Sequence, residues 1–335
     1  MAIKGKRGVF FTLIAVLVVS VLVIAFSYNE NFTSKNRVPI ISSRVKTSSN
    51  FVRDLEESYI KASLQTSSYN AINSILLYIE NYRTFEGLGN EQELNDMFKE
   101  VLINGSIKGA KLYQGYGISL MNGNTFEYRL NRIEQASKNF FNLRTDFKKE
   151  DIEVAIFQTN DTGPWYIGVN LTLEYTVDAD VAYWNRTKTF TIFLDLREFN
   201  DPLFLVNPKT AAHRKINPTP FNSSEWDIDT LKIHINSGTY RHEPNASSYL
   251  NRLFNSAKVS ECCGIESFVN ETLCRQIEEK SYVDFCFWSD VCDPGTKYGE
   301  NLYNITGITN ETYPFKLDAY HAARYNVLGQ ADRIN

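Results

Sequence analysis

Four histidines, His213, His234, His242 and His321, are the side chains whose charge changes nearest neutral pH, so acid–base or metal chemistry would begin with them. Asp318 and His321 stand three apart, one turn from each other on a helix expected at the carboxyl end, while His234 and His242 flank an expected strand and its turn. Brought together, they would make the carboxylate–histidine metal site of a membrane-tethered extracellular hydrolase. The competing reading has His234, between Ile233 and Ile235, facing solvent, and gives Asp318 to the first turn of the closing helix, where the dipole favours a negative charge. No Gly-x-Ser-x-Gly elbow, His-Glu-x-x-His helix or phosphate loop occurs, and Gly115-Tyr116-Gly117 alone is too short to mark nucleotide binding. Asp227 and Asp229 have no partner spacing that selects a glycosidase. The expectation is therefore no catalytic, cofactor-binding or metal residue, and a protein that leans away from enzymes.

Five cysteines, Cys262, Cys263, Cys274, Cys286 and Cys292, fall within 31 residues and nowhere else. In an oxidising exterior such a cluster reads as a local staple of two disulfides with one thiol left over. Cys286 with Cys292, and Cys274 with Cys262 or Cys263, are the expected pairs. The spacings lack the Cys-x2-Cys pairs of a zinc site. Ten Asn-x-Ser/Thr triplets begin at Asn31, Asn104, Asn160, Asn170, Asn185, Asn222, Asn245, Asn270, Asn304 and Asn310, and read as glycosylation acceptors. An Asn-, Ser- and Thr-rich chain would also make some of these passively.

Both signals need an exported chain, and the amino terminus supplies one. Val9 to Phe26 is apolar and uncharged, preceded by Lys4, Lys6 and Arg7. Eighteen helical residues span roughly 27 Å, close to the hydrocarbon thickness of a thin bilayer. The cationic flank keeps residues 1–8 in the cytoplasm and sends everything after the anchor, 9–27, outside. Ala25-Phe26-Ser27 also offers a signal-peptidase site. Net charge is −4 with both signs well mixed among the 335 residues, so no basic field exists for nucleic acid. The expected partners are the membrane, through Val9–Phe26, and further copies or other envelope proteins. Nineteen Tyr and 22 Phe suit a binding surface or, more often, a core.

Lys6-Arg7-Gly8 followed by Phe11-Thr12-Leu13-Ile14 and a β-branched apolar helix resembles the amino terminus of the type IV pilin superfamily, although Ala15 stands where that family has glutamate and Val9 and Phe10 are inserted. Asp201-Pro202-Leu203, Pro244–Leu253, Gly264–Asn270, Ser281–Phe285 and Phe315–Val327 are similar to phrases of uncharacterised archaeal exported proteins with pilin-like amino termini. The resemblance implies a surface protein of structural, assembly or adhesion type, with no activity attached.

The elements that would position these residues follow from hydrophobic period. Residues 28–49, with Pro39, are expected to form a broken stalk. Val52, Leu55, Tyr59 and Ala62, then Tyr69, Ile72, Leu76 and Ile79, mark a long amphipathic helix, and shorter helices are expected at 91–103 and 125–148. In the last of these, Phe126, Leu130, Ile133 and Phe140 form the core face and Arg129 and Glu134 point to solvent. The period then falls to 2: Ile167, Val169, Leu171, Leu173, Tyr175 and Val177 face one way and Asn170 the other. Phe190, Ile192 and Leu194 oppose Asn185, with a turn at Asp178-Ala179-Asp180. Helices followed by antiparallel strands predict an α+β fold over 50–206. Past a linker at 207–221, a second domain, 222–335, is expected to hold strands at 231–235 and 281–288 and helices at 247–256 and 317–328.

Overall fold

The longest strands set the frame. The computed structural model describes residues 16–20, 37–206, 214–222, 224–256, 258–260, 262–269, 280–289, 292, 296, 301–308 and 314–334. Four strands make one antiparallel sheet: β3 (Arg144–Phe147), β4 (Glu153–Phe157), β5 (Tyr166–Asp178) and β6 (Tyr183–Asp195); a ribbon of β1 (Ser106–Ile107) and β2 (Ala110–Lys111) precedes it. β6 runs beside β5 for its full length, from Tyr166 opposite Asp195 to Asp178 opposite Tyr183. β3 and β4 pair with β5 at its two ends in turn. The expected register holds: Ile167, Val169, Leu171, Leu173, Tyr175 and Val177 are all fully buried, with Phe190, Ile192 and Leu194 beside them. On the opposite face Thr172 bonds Thr189 and Thr191 donates to Asn170 at 2.6 Å. Gly168 shares that polar face yet is buried, because its missing Cβ leaves room for the Phe157 ring lying across it.

Helices cover the apolar face. Arg37–Asp54 (α1) leads to a π-helical turn, Leu55–Tyr59, and to α2, Ile60–Tyr82. Helix α1 begins well before the expected position: Pro39 is its third residue, in a first turn whose N–H groups have no intrahelical partner, so the missing donor does no harm. The π turn inserts one residue and moves the buried stripe. Ile60 and Leu64 are buried where Tyr59 and Ala62 were expected, and Tyr69 is exposed. The same turn draws Glu56 inside, where Tyr175 donates to it, Arg186 lies at 2.8 Å and Lys188 at 2.5 Å. Burial opposes the charge on Glu56, but Lys188, Tyr175 and Arg186 hold its pKa below the usual carboxylate value.

Asn90 caps α3 (Glu91–Asn104), and Thr125 caps α5 (Phe126–Phe141) after the single turn α4 (Leu112–Gly115). Helix α5 ends sooner than its period suggests, because Asn142 turns left-handed and the chain enters β3. Phe140 is consequently 63% exposed, while Glu134 binds Lys149 at 2.9 Å and Arg129, half-buried, donates to Asn124. Leu64, Ile72, Phe98, Leu102, Phe126 and Leu130 complete the core with the sheet. Each such side chain contributes about 1.5–3 kcal/mol by leaving water.

Residues 1–50 and 51–335 cluster as two units. Within the larger, a second core gathers Trp226, Phe268, Phe285, Phe315 and Tyr325. The elements of the carboxyl-terminal half are short: α6 (Pro202–Val206), α7 (Ile228–Ser237), β7 (Arg241–His242), α8 (Tyr249–Leu253), β8 (Ile265–Glu266), α9 (Asp284–Phe287), β9 (Leu302–Ile305), β10 (Phe315–Asp318), α10 (Ala319–Arg324) and β11 (Ala331–Arg333); Leu205 of α6, the apolar residues of α8 and Ile265 of β8 pack into the first core. The expected strand at 231–235 is helical, because Asp227 and Thr230 form a capping box and Gly238 closes the other end. The expected strand at 281–288 turns into α9 after a single bridge from Val283 to Phe268. The expected closing helix is split: Phe315–Asp318 pairs with β9, and only six residues beyond it are helical.

Of Val9–Phe26, residues 16–20 are described and are helical; the rest of the expected anchor lies outside the described residues, as do Asn31, Asn270, Asn310, Cys274 and His213. Among the described residues no helix is long and apolar enough to cross a membrane.

Candidate functional site

Charged side chains of the carboxyl-terminal half converge in the interior rather than on its surface. Arg252, on α8, is fully buried. Its Nη1 lies 2.6 Å from Asp201 and 2.7 Å from Asp284, and its Nη2 donates to the Ile265 carbonyl and lies 3.2 Å from Asp284. Tyr240 donates to Asp201 at 2.8 Å. The two carboxylates favour the charged guanidinium against its burial, raising the Arg252 pKa further. Burial also pushes the Asp284 carboxyl up, against the attraction of Arg252.

A second set surrounds His321. Its Nδ1 lies 2.6 Å from Asp318 and its Nε2 3.2 Å from Glu266, whose other carboxylate oxygen accepts a bond from Tyr325 at 2.6 Å. Burial works against a charged imidazole, but Asp318 and Glu266 outweigh it and raise the pKa to about 10. His321 is therefore an imidazolium at neutral pH, and Asp318, which burial would push up, is held down chiefly by His321. Beside this pair Glu243, 1% exposed, accepts from Tyr320 at 3.0 Å, from Arg324 at 3.1 Å and from Asn245. Burial opposes its charge too, and these donors with Arg241 lower its pKa. The Arg241 guanidinium lies over the rings of Tyr325 and Trp226.

The Asp318–His321 pair is thus where the sequence put it, one turn apart. The other histidines do not join it. His234, expected to face solvent, is wholly buried on α7 against Trp226 and Phe268, 2.5 Å from the Thr239 hydroxyl. Burial, then Arg241 and Arg214, lowers its pKa to about 3, so it is neutral. His242 is exposed and meets the Cys262 carbonyl at 3.1 Å. Among the described residues no histidine belongs to a group of three side chains placed to hold a metal ion. The network is a set of buried ion pairs, with Arg252, Asp284, Glu266 and His321 wholly out of water.

Asp201, Glu243, Arg252, Glu266 and Asp284 were not singled out by their sequence context. The available signal was charge placed within short apolar phrases, as in Val283-Asp284-Phe285 and Leu250-Asn251-Arg252-Leu253. A pocket of about 260 Å³ elsewhere is lined by Tyr69, Asn73, Leu76, Glu80, Leu120 and Asn200 among others.

Cys286 and Cys292 are bonded as expected, their Cα atoms 5.0 Å apart. Cys262 and Cys263 are bonded to each other, not to Cys274; adjacency brings the two sulfurs together without any loop to close. Of the acceptor asparagines, Asn104, Asn160, Asn185 and Asn222 are exposed and Asn170 is half-buried on the polar sheet face. Asn245 differs: its amide nitrogen donates to Glu243 at 3.2 Å and to Tyr320 at 3.1 Å. The Asn304 side-chain oxygen is buried within β9. No family model, curated protein or solved structure matches this chain.

Proposed function

We propose that this chain is a single-pass, membrane-anchored surface protein of pilin-like type, glycosylated outside the cell and serving assembly, adhesion or envelope structure, with Phe51–Asn335 as its exposed body. The observation that carries this reading is the closure of the charged network. The groups with the strongest acid–base and ligand character, His321, Asp318, Glu266, Arg252 and Asp284, are 0–1% exposed and paired with each other. They stabilise a scaffold and leave the surface to polar and acceptor residues. The apolar run Val9–Phe26 behind Lys4, Lys6 and Arg7 supports an anchor with the body outside. The disulfides support an oxidising compartment. Its partners are the membrane and, through the body, further copies or other envelope proteins.

Protease added to intact cells tests the reading: the expected result is digestion of the body with a protected fragment ending near Ser27. A body protected until the cells are broken would refute it.

A further inference from the structure

Cys286, Cys292 and Asp318 come from three places in the chain: α9, the segment after it, and the junction of β10 with α10. One ligand atom from each, two sulfurs and a carboxylate oxygen, lies within 4.8 Å of the others, and all three residues are buried. Among the described residues this is the one grouping of three such side chains. We propose that, when the Cys286–Cys292 bond is reduced, these residues form a binding site for a thiophilic divalent cation of the zinc type.

The donor set selects the ion class. Two thiolates with one carboxylate suit a borderline-soft metal, whereas calcium and magnesium take oxygen donors throughout. Three protein ligands leave the fourth tetrahedral position to water. Asp318 is held for the role, because its oxygens already accept from the His321 backbone N–H at 3.0 Å and from Nδ1 at 2.6 Å; ligating carboxylates are commonly braced in this way. The sequence hides the site because Asp318 is 26 residues beyond Cys292 and the cysteines lack Cys-x2-Cys spacing.

Metal and disulfide are alternatives. A dithiol reductant gives two electrons and two protons to the Cys286–Cys292 bond, yielding two thiols and its own cyclic disulfide. Binding of the ion then releases the two thiol protons. The exported protein would hold the disulfide, and the cation would guard the same sulfurs while the chain is still in a reducing compartment.

The test uses the full chain in detergent carrying Cys262→Ser, Cys263→Ser and Cys274→Ser, stripped of metal, reduced with a phosphine and titrated with cobalt(II). Expected is one equivalent bound, with thiolate-to-cobalt charge-transfer absorption that zinc(II) displaces, and none in the unreduced chain. Adding Cys292→Ser should abolish the band, and Asp318→Asn should weaken cobalt binding at least tenfold. Because Asp318 also caps α10, circular dichroism must accompany that variant; where it unfolds, Cys292→Ser decides. No charge-transfer band in the reduced chain, or a band unchanged by Cys292→Ser, overturns the proposal.

Discussion

Replacing Arg252 by methionine tests whether the buried network is as closed as its distances imply. The guanidinium lies 2.6–2.7 Å from both Asp201 and Asp284 and is wholly out of water. Methionine fills much of the volume but removes the cation that Asp201 and Asp284 share. Removing one partner of a buried pair costs about 3–5 kcal/mol, because the remaining charge stays desolvated. Asp201 keeps its bonds from Tyr240 and from the Leu203 N–H, which limits the damage on that side. Asp284, already pushed up by burial, should take up a proton in the variant. Urea unfolding of the full chain should therefore show a lower midpoint at unchanged slope, with a deficit of about 3–5 kcal/mol at neutral pH that shrinks as pH falls and Asp284 protonates. A lost packing contact would give a deficit independent of pH. Replacing Asp201 and Asp284 as well, with apolar residues, should return part of the loss. A deficit under about 1 kcal/mol, or one that does not change with pH, would refute the assignment of Arg252 as the cation closing this site.

Other perturbations read other parts of the molecule. Leu173→Ala should cost about 2–5 kcal/mol in thermal or urea unfolding, since Leu173 is fully buried, whereas Asn170→Gln on the opposite face should cost under about 1 kcal/mol; the reverse ranking would put the strand one residue out of register. The two buried histidines pull stability in opposite directions with pH. The His321 pKa is raised in the folded state, so its contribution is complete below the unfolded value near 6.5 and is lost as pH rises through about 10; the His234 pKa is lowered, so its contribution is present above about 6.5 and is lost as pH falls toward about 3. His321→Gln should flatten the alkaline arm of a stability–pH profile and His234→Gln the acid arm, each by up to about 1.4 kcal/mol per pH unit. Glycopeptide mapping should find modification at Asn104, Asn160, Asn185 or Asn222 and none at Asn245, whose amide is engaged inside the protein.

The hairpin and the helix at 91–104 are legible in the sequence because each keeps one period over enough residues for the average to dominate. Thirteen residues of alternation leave only two registers, and Leu173 and Asn170 choose between them. The long helix is legible in kind, with Val52, Leu55, Ile72, Leu76 and Ile79 buried as expected; Tyr59, Ala62 and Tyr69 are out of phase, because the π turn near Glu56 adds a residue and no period reveals where an extra residue sits. In the carboxyl-terminal half the segments run two to ten residues, too short for a period to outweigh context. Ser281–Trp288 alternates like a strand, yet Asp284 is required at Arg252 and its carboxylate also receives the Phe285 N–H, which turns the chain. The Asp318–His321 spacing is readable because Asp318 caps the helix that carries His321; Glu266 completes the set from 52 residues earlier, a distance that sequence does not bridge.

That region also explains why a protein would bury so many charges. Short elements have a high proportion of end groups, and each helix end carries N–H groups without intrahelical partners. Three buried carboxylates meet this need directly, Asp201 accepting from the Leu203 N–H, Asp318 from the His321 N–H and Asp284 from the Phe285 N–H, and Glu243 accepts from the Asn245 N–H in the turn after β7. A carboxylate is a strong acceptor at a helix start, but in the interior it must be neutralised. Arg252, His321 and Arg324 supply the positive charge, and each reaches a carboxylate distant in the chain: Asp201 and Asp284, Glu266, and Glu243 respectively. The ion pairs therefore tie together segments that lack the length to be held by sheet or helix packing. On this account the network's purpose is architectural, and the charged residues of the phrases around Asp201, Arg252, Glu266, Asp284 and His321 are required together. Conservative single changes among them should then fail where simultaneous apolar replacement of a whole pair is tolerated.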